Sequence, residues 1–302
     1  MKKVAISVGD LNGVGIEIAL KAHEEVSKLC EPIYCINEKL LDQALKLLKR
    51  EKPQNFTLHS VEGEFNIKVG EVTKESGKYS YDSFISAIKL CQTQEADAVV
   101  TMPIHKEAWM LAGIEYKGHT DLLRHYFDKD AIMMLGCEEM FVALYTEHTP
   151  LKDVPQMIQK ERLKSFFRDF YKSTKPEKVA VLGLNPHAGD NGVLGDEERE
   201  IESAIAEINA EIGKDIFIGA IVPDVAFTPH FRKNFNYFIA MYHDQGLAPL
   251  KALYFDESVN ISLNLPIIRT SVDHGTAFDI AYKGEAKTLS YINAIKSAIK
   301  LT

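Results

Sequence analysis

Short apolar runs of strand length alternate with amphipathic helical periods along this chain, and that alternation restricts the fold more than any other feature. The runs 4–8 (VAISV) and 32–36 (PIYCI) are followed by helical patterns at 16–29 and 38–50, which is βαβα order. Further strand-like runs stand at 96–102, 131–135, 140–146, 179–184, 215–222 and 237–242, with helical patterns at about 157–173 and 196–211. A helix between successive strands returns the chain to the same edge, so the strands run largely parallel and the sheet is covered on both faces. The expected class is therefore α/β. A chain of 302 residues has room for two domains of about 150 residues each. No Pro/Gly-rich linker, internal repeat or low-complexity tract marks a boundary, so a second domain has to arise by the chain crossing over and returning.

In such folds ligands lie beyond the carboxyl ends of the strands. Thr101, His148, His187 and His243 all stand at or just after the end of an apolar run. The stretch 237–281 sets His243, Asp244, Lys251, Asn260, Arg269, His274 and Asp279 among short apolar segments, a density of polar chemistry for which an ordinary core has no use. Convergence of His148, His187 and His243 would make an open Lewis-acid site. Imidazole suits zinc or cobalt, whereas magnesium prefers oxygen, and Asp224 or Asp244 would orient a ring or complete the shell. A lone histidine after a strand is ordinarily a hydrogen-bonded loop residue; the metal reading rests on all three sharing the strand-end position.

GHTD (118–121) opens a helical run and offers His119, Thr120 and free backbone N–H groups as an anion cradle; ordinary capping by Thr120 accounts for it equally well. Lys251, Asn260 and Arg269 recur at nine-residue intervals beside strand-like segments. Solvated surface positions are the plain reading of all three, but Arg269, set between LPII and TSVDHG, is placed to grip a carboxylate or phosphate with its fork. The loop GDLNGVG (9–15) invites close approach of a ligand to the backbone. It is neither a P-loop nor a Rossmann fingerprint.

A formal net charge of −8 argues against a broad nucleic-acid or anionic-membrane surface. No apolar run nears the ~20 residues that span a bilayer, and the first residues are too short an apolar stretch for a signal core, so a cytoplasmic protein is expected. Cys30, Cys35, Cys91 and Cys137 are scattered without a CxxC pair, which suggests buried, reduced thiols.

The segments SVGDLNGVGIEIAL, AVVTMPIHK, GHTD, LGLNPHAGDNG, YHDQGLAPLK and VNISLNLPIIRTSVDHGTAFDIA, spread over nearly the whole chain, closely resemble the 4-hydroxythreonine-4-phosphate dehydrogenase family of pyridoxal-phosphate biosynthesis. The first loop and HGTAFDIA (274–281) are also similar to parts of isocitrate and isopropylmalate dehydrogenases, where the latter loop embraces the adenosine of the cofactor. The resemblance implies two α/β/α subdomains of isocitrate/isopropylmalate dehydrogenase type, about 1–127 plus 262–302 on the cofactor side and 128–261 for metal binding and dimerisation. It implies a homodimer with the active site in the inter-domain cleft at the dimer interface.

The resemblance further implies metal ligands at His148, His187 and His243, substrate contacts at His119, Thr120, Lys251, Asn260 and Arg269, and cofactor contacts at Gly13, His274, Gly275 and Asp279. The cofactors implied are NAD or NADP and one divalent zinc, cobalt or magnesium ion. The expected reaction oxidises 4-phosphohydroxy-L-threonine to 2-amino-3-oxo-4-phosphohydroxybutanoate, which loses carbon dioxide to give 3-amino-2-oxopropyl phosphate. Asp224, Asp244 and Lys251 are the candidate proton acceptors. The first loop departs from the family wording, with GDLNG where many members carry a proline and GVGIE for GIGPE. Alternatives are a dehydrogenase of D-threonate or D-erythronate 4-phosphate, a metal-dependent phosphoester hydrolase, and a silent ligand-binding protein; the adenosine-type loop disfavours the last two.

Overall fold

The computed structural model describes residues 1–302, and the chain divides into two compact units, 1–129 with 259–302 and 130–258. In chain order the first unit begins β1 (Lys3–Ser7), α1 (Gly15–Val26), β2 (Glu31–Cys35), α2 (Glu38–Leu48), β3 (Thr57–His59), α3 (Lys74–Gln92), β4 (Ala98–Thr101), α4 (Lys106–Leu111) and α5 (His119–Phe127). The second holds β5 (Ile132–Cys137), β6 (Met140–Leu144), α6 (Lys160–Thr174), β7 (Val179–Leu182), α7 (Glu197–Ile212), β8 (Phe217–Ile221), α8 (Pro223–Ala226), α9 (Pro229–Arg232), β9 (Tyr237–Ala240) and α10 (His243–Tyr254). The chain then completes the first unit with β10 (Val259–Leu263), β11 (Ile268–Val272) and α11 (Leu289–Leu301).

Strands of the first unit lie in the order β3-β2-β1-β4-β11-β10. All its neighbours run parallel except β10 and β11, which are antiparallel. Burial on both faces explains the composition: β1 and β4 bury Val4, Ala5, Ile6, Ala98, Val99 and Val100 completely, the continuous apolar reading of a covered parallel strand. Helix α3 packs over β1 and β4, whereas α11 packs against β4, β10 and β11. Thr270 turns toward α11 and donates to the Ala294 carbonyl at 2.8 Å. Arg269 and Ser271, one residue to either side, therefore point to the opposite face.

Neither α3 nor α11 was drawn from the sequence pattern. The buried residues of α3 are Ser76, Gly77, Tyr79, Ser80, Ser83, Phe84, Ala87, Ile88 and Leu90, and the serines and glycine that interrupt the large side chains in its first half keep its period from standing out. The smallness there has a cause: a Cβ on Gly77 would overlap the Ala108 backbone, so α3 and α4 approach more closely than leucines allow. Thr73 caps α3 by accepting from the Ser76 N–H.

In the second unit the strand order is β5-β6-β9-β7-β8, antiparallel only at β5–β6. Val142, Leu144, Ala180, Leu182, Phe238, Ala240, Leu247 and Leu250 form its core. The helix expected over 157–173 begins at Lys160, after short 3₁₀ turns at Leu151–Asp153 and Pro155–Met157. The run expected over 237–242 is strand only to Ala240, and His243 is the first residue of α10. No helix is long and apolar enough to cross a membrane.

Candidate functional site

Arg269 is the least expected buried residue of the first unit. Its side chain is 2% exposed, yet no carboxylate pairs with it: Nη1 donates to Ser262 Oγ at 3.2 Å and Nη2 to Thr101 Oγ1 at 2.7 Å, while Nε is buried with no partner. Burial pulls the guanidinium down to about 9, because a desolvated cation without a counter-charge is disfavoured. A buried cation without a counter-charge is costly, and a ligand anion is one chemistry that would offset the cost.

The sheet register puts further polar groups beside it. Asn260 faces Ser271 and Ser262 faces Arg269 across the antiparallel pair, while Ser271 lies in register with Thr101. All five side chains share one face. Asn260 Oδ1 is buried and unpartnered. His119, the first residue of α5, stands edge-on to Phe84 and Trp109 at 4.7 and 5.8 Å between centroids, with Nε2 buried and unpartnered. Its pKa lies well below the usual imidazole range, through burial first and the nearby Arg269 charge second. Thr120 is already inside α5 and caps nothing. The N–H groups of this first turn have no helical acceptor and, like the Arg269 fork, are donors of the kind an anion takes.

Three loops of the same unit meet beyond the strand ends. Val14 N–H donates to the Thr276 carbonyl at 3.0 Å and Asp10 N–H to that of Pro103 at 2.9 Å, and His105 stacks on Phe278 at 5.0 Å. The close approach at Gly13 is made by its own chain, since a Cβ there would lie 2.7 Å from the Thr276 carbonyl. His274, Gly275 and Asp279 are exposed on the third loop, and His274 Nδ1 meets the Gly275 carbonyl at 2.9 Å. Asp10 is buried and its carboxyl is pushed above the usual range by desolvation, opposed by bonds from the Asn12 N–H and the Ser76 hydroxyl.

In the second unit His148, His187 and His243 follow β6, β7 and β9, which are neighbours in the sheet. His148 and His243 are 5.7 Å apart between ring centroids. His243 Nδ1 bonds Asp244 Oδ1 at 2.7 Å, which leaves Nε2 as its free nitrogen, the arrangement that readies an imidazole for a cation. His187 is not drawn in with them: no three His, Cys, Asp or Glu side chains gather into a metal-sized group. The donor set fits a divalent cation at two ligands, with the third on a separate segment.

That segment is unusual. His187, Ala188, Gly189, Asp190 and Asn191 all have φ between 43° and 76°, a left-handed run that costs about 1–2 kcal/mol for each non-glycine residue. Glu198, 5% exposed in the first turn of α7, holds the run's entry: it accepts from Leu184 N–H at 2.9 Å, Asn185 N–H at 2.7 Å and Asn185 Nδ2 at 2.9 Å. Gln245 ties the end of β9 to that of β7, accepting from Met241 N–H and donating to the Gly183 carbonyl, both at 2.7 Å. Asp224 is exposed on α8, which packs beside the His187 segment. Lys251 is half-buried on α10, its Nζ 5.4 Å from the Phe255 ring centroid.

Sequence reading located the histidines, Asn260 and Arg269. It passed over Ser262, Glu198 and Gln245. Glu198 lies in EERE, which reads as a solvated helix start, and Ser262 in a strand shows its meaning only when the register sets it opposite Arg269. Gln245, two residues after His243, had a usable signal in its proximity.

A family model described as pyridoxal phosphate biosynthetic protein PdxA matches residues 28–298. The chain is 71% identical over 299 residues to a 4-hydroxythreonine-4-phosphate dehydrogenase of Sulfurimonas denitrificans, covering 99% of this chain and 97% of that protein. It is 59% identical over 302 residues to the protein of the same name from Campylobacter fetus subsp. fetus, covering 100% and 98%. The crystal structure of a 4-hydroxythreonine-4-phosphate dehydrogenase from Klebsiella pneumoniae matches with a TM-score of 0.85 at 31% identity, over 100% of this chain and 99% of that one. A terephthalate 1,2-cis-dihydrodiol dehydrogenase from Burkholderia xenovorans LB400 matches with a TM-score of 0.73 at 22% identity, over 98% and 97%, which shows a shared fold alone. Sequence matches that run the length of the chain, to proteins of one name and to the family model, establish that this chain belongs to the pyridoxal phosphate biosynthetic protein PdxA family.

Proposed function

We propose that the chain is an NAD- or NADP-linked, divalent-metal-dependent dehydrogenase of 4-phosphohydroxy-L-threonine. Its product, 2-amino-3-oxo-4-phosphohydroxybutanoate, decarboxylates to 3-amino-2-oxopropyl phosphate. The names of the relatives support the substrate. The observation that carries the reading is the buried, carboxylate-free Arg269, whose Nε–H keeps no acceptor, with the unpartnered His119 Nε2 in the same unit, donors suited to a phosphate end. The unpartnered Asn260 Oδ1 is an acceptor, suited to a hydroxyl or ammonium group of the substrate.

In this reading Arg269, His119, Thr120, Asn260 and Lys251 bind and orient the phosphorylated substrate. His148, His187 and His243 would hold the cation, with Asp244 fixing the His243 ring. When bound, the cation supplies Lewis acidity that lowers the alcohol's pKa and draws off charge as carbon dioxide departs. A bound nicotinamide would supply the two-electron acceptor for the C3 hydride, and the hydroxyl proton is taken by the Asp224 carboxylate or by Lys251 Nζ as the neutral amine; the pH profiles of Lys251→Met and Asp224→Asn variants separate these two. Asp244 is already engaged with His243 and serves as an orienting group. The resulting β-keto acid breaks its C2–carboxyl bond, leaving the electron pair on an enolate that takes up one proton at C2. His274, Gly275 and Asp279 are exposed and would border the dinucleotide, while Gly13, packed against Thr276, positions their loop. A homodimer and a cytoplasmic location complete the proposal.

The deciding experiment follows reduced-nicotinamide absorbance with 4-phosphohydroxy-L-threonine, with and without a chelator. Chelator-sensitive reduction with release of carbon dioxide is expected. Reduction only with D-threonate or D-erythronate 4-phosphate would transfer the reading to a sugar-acid substrate, and phosphate release without reduction would replace it with hydrolysis.

A further inference from the structure

The guanidinium of Arg269 is oriented by two hydroxyls and by no carboxylate. Thr101 closes β4, in register with Ser271, and Ser262 stands directly opposite Arg269 on β10. Thr101, Ser262 and Arg269 are 0%, 3% and 2% exposed, so all three are fixed by the sheet rather than by solvent. A carboxylate at either position would hold the fork equally well, but it would neutralise the charge and leave little to attract a ligand anion. A hydroxyl accepts an N–H bond without adding charge. The two bonds, to Nη2 at 2.7 Å and Nη1 at 3.2 Å, involve both terminal nitrogens of the planar fork and so define its plane. The buried Nε–H keeps no protein acceptor.

We propose that Thr101 and Ser262 are positioning residues of the anion site: they hold the Arg269 fork in one plane without neutralising it, so that its unpaired donors face the phosphate of the substrate. The inference rests on the reading of Arg269 as the phosphate grip. Losing either hydroxyl frees the guanidinium to rotate and leaves one more of its donors without a buried acceptor.

The test compares Thr101→Val, Thr101→Ser and Ser262→Ala with the unaltered enzyme and with Arg269→Ala. Steady-state KM is measured for the phosphorylated substrate and for the dinucleotide, together with inhibition by inorganic phosphate. Thr101→Val is expected to raise the substrate KM and the phosphate inhibition constant in parallel by about tenfold, Ser262→Ala by a smaller factor, with the dinucleotide KM within about twofold. Thr101→Ser restores both constants, because the hydroxyl returns without the methyl group. The proposal is overturned if Thr101→Val and Ser262→Ala leave the substrate KM within twofold, if both KM values rise equally, or if Thr101→Ser is as impaired as Thr101→Val. Should Thr101→Val fold poorly, Ser262→Ala, which removes a single oxygen, decides by the same criteria. If Arg269→Ala itself keeps the substrate KM and phosphate inhibition, the phosphate reading fails; if Arg269→Ala loses both while the hydroxyl variants do not, only the positioning inference fails.

Discussion

The polar chemistry of the first unit is built into a sheet, whereas that of the second stands on segments that leave one. Arg269, Asn260, Ser262 and Thr101 sit on strands β11, β10 and β4, where register fixes their spacing and burial removes competing water. His148 and His187 lie on exposed segments after β6 and β7, and His243 opens α10. In the first arrangement the Arg269 fork is already held on both terminal nitrogens. In the second, two rings are neighbours and the third waits on a strained segment latched by Glu198. Side chains that belong to strands are therefore set beside one another by register, whereas the relation between side chains on loops depends on the loops' own conformation.

The largest expected effect attacks the latch. Glu198→Ala leaves the Leu184 and Asn185 backbone N–H groups without an acceptor and the Asn185 amide with Glu197 alone, and it releases a left-handed run, so it should lower stability by about 3 kcal/mol. Amide exchange at Leu184 and Asn185 should accelerate before that of the first unit. Protection unchanged at those amides would show that the run holds itself and that the contrast between the units is weaker than drawn.

Next is the sheet-built side. Arg269→Ala should raise the KM for a phosphorylated substrate about 100-fold, and Arg269→Lys should not restore it, since an ammonium lacks the planar fork. Recovery by lysine would reduce the pocket to simple charge.

A smaller effect concerns the imidazole pair. Asp244→Asn weakens the orientation of His243 and should lower affinity for zinc or cobalt at least tenfold, measured by titration calorimetry. Unaltered affinity would detach Asp244 from any such role.

The smallest contrast is in pH dependence. His23, buried against Tyr34 and bonded to the Gln54 carbonyl, titrates below the usual range through burial, as does His119. Above about pH 6.5 both states are neutral at these rings and the contribution is whole. As pH falls below that value the unfolded chain takes up protons that the folded first unit refuses, so stability declines toward the folded-state pKa values. Denaturant midpoints between pH 7 and 5 should show this slope, and His23→Gln should reduce it. An unchanged slope in the variant would rule out His23 as a contributor.

Much of the fold was legible because β1, β2, β4, β6, β7, β8 and β9 are apolar runs of the right length, with α1, α2, α6 and α7 periodic between them. Helix α3 was not, since it buries serines and a glycine against α4. Of the sites, the three histidines could be placed at strand ends from sequence, but whether their rings meet depends on segment conformation that no local pattern encodes.

What the chain's own sequence determined is the α/β class and the set of polar residues carried to the carboxyl ends of its strands, because strand and helix periods follow from side-chain order alone. Only the tertiary structure decided that Arg269 stands without a carboxylate between two hydroxyls, and that His148 and His243 are neighbours while His187 is not gathered with them. Burial and register act between residues far apart in the chain, and the free energy of a desolvated charge depends on which distant groups the fold sets beside it.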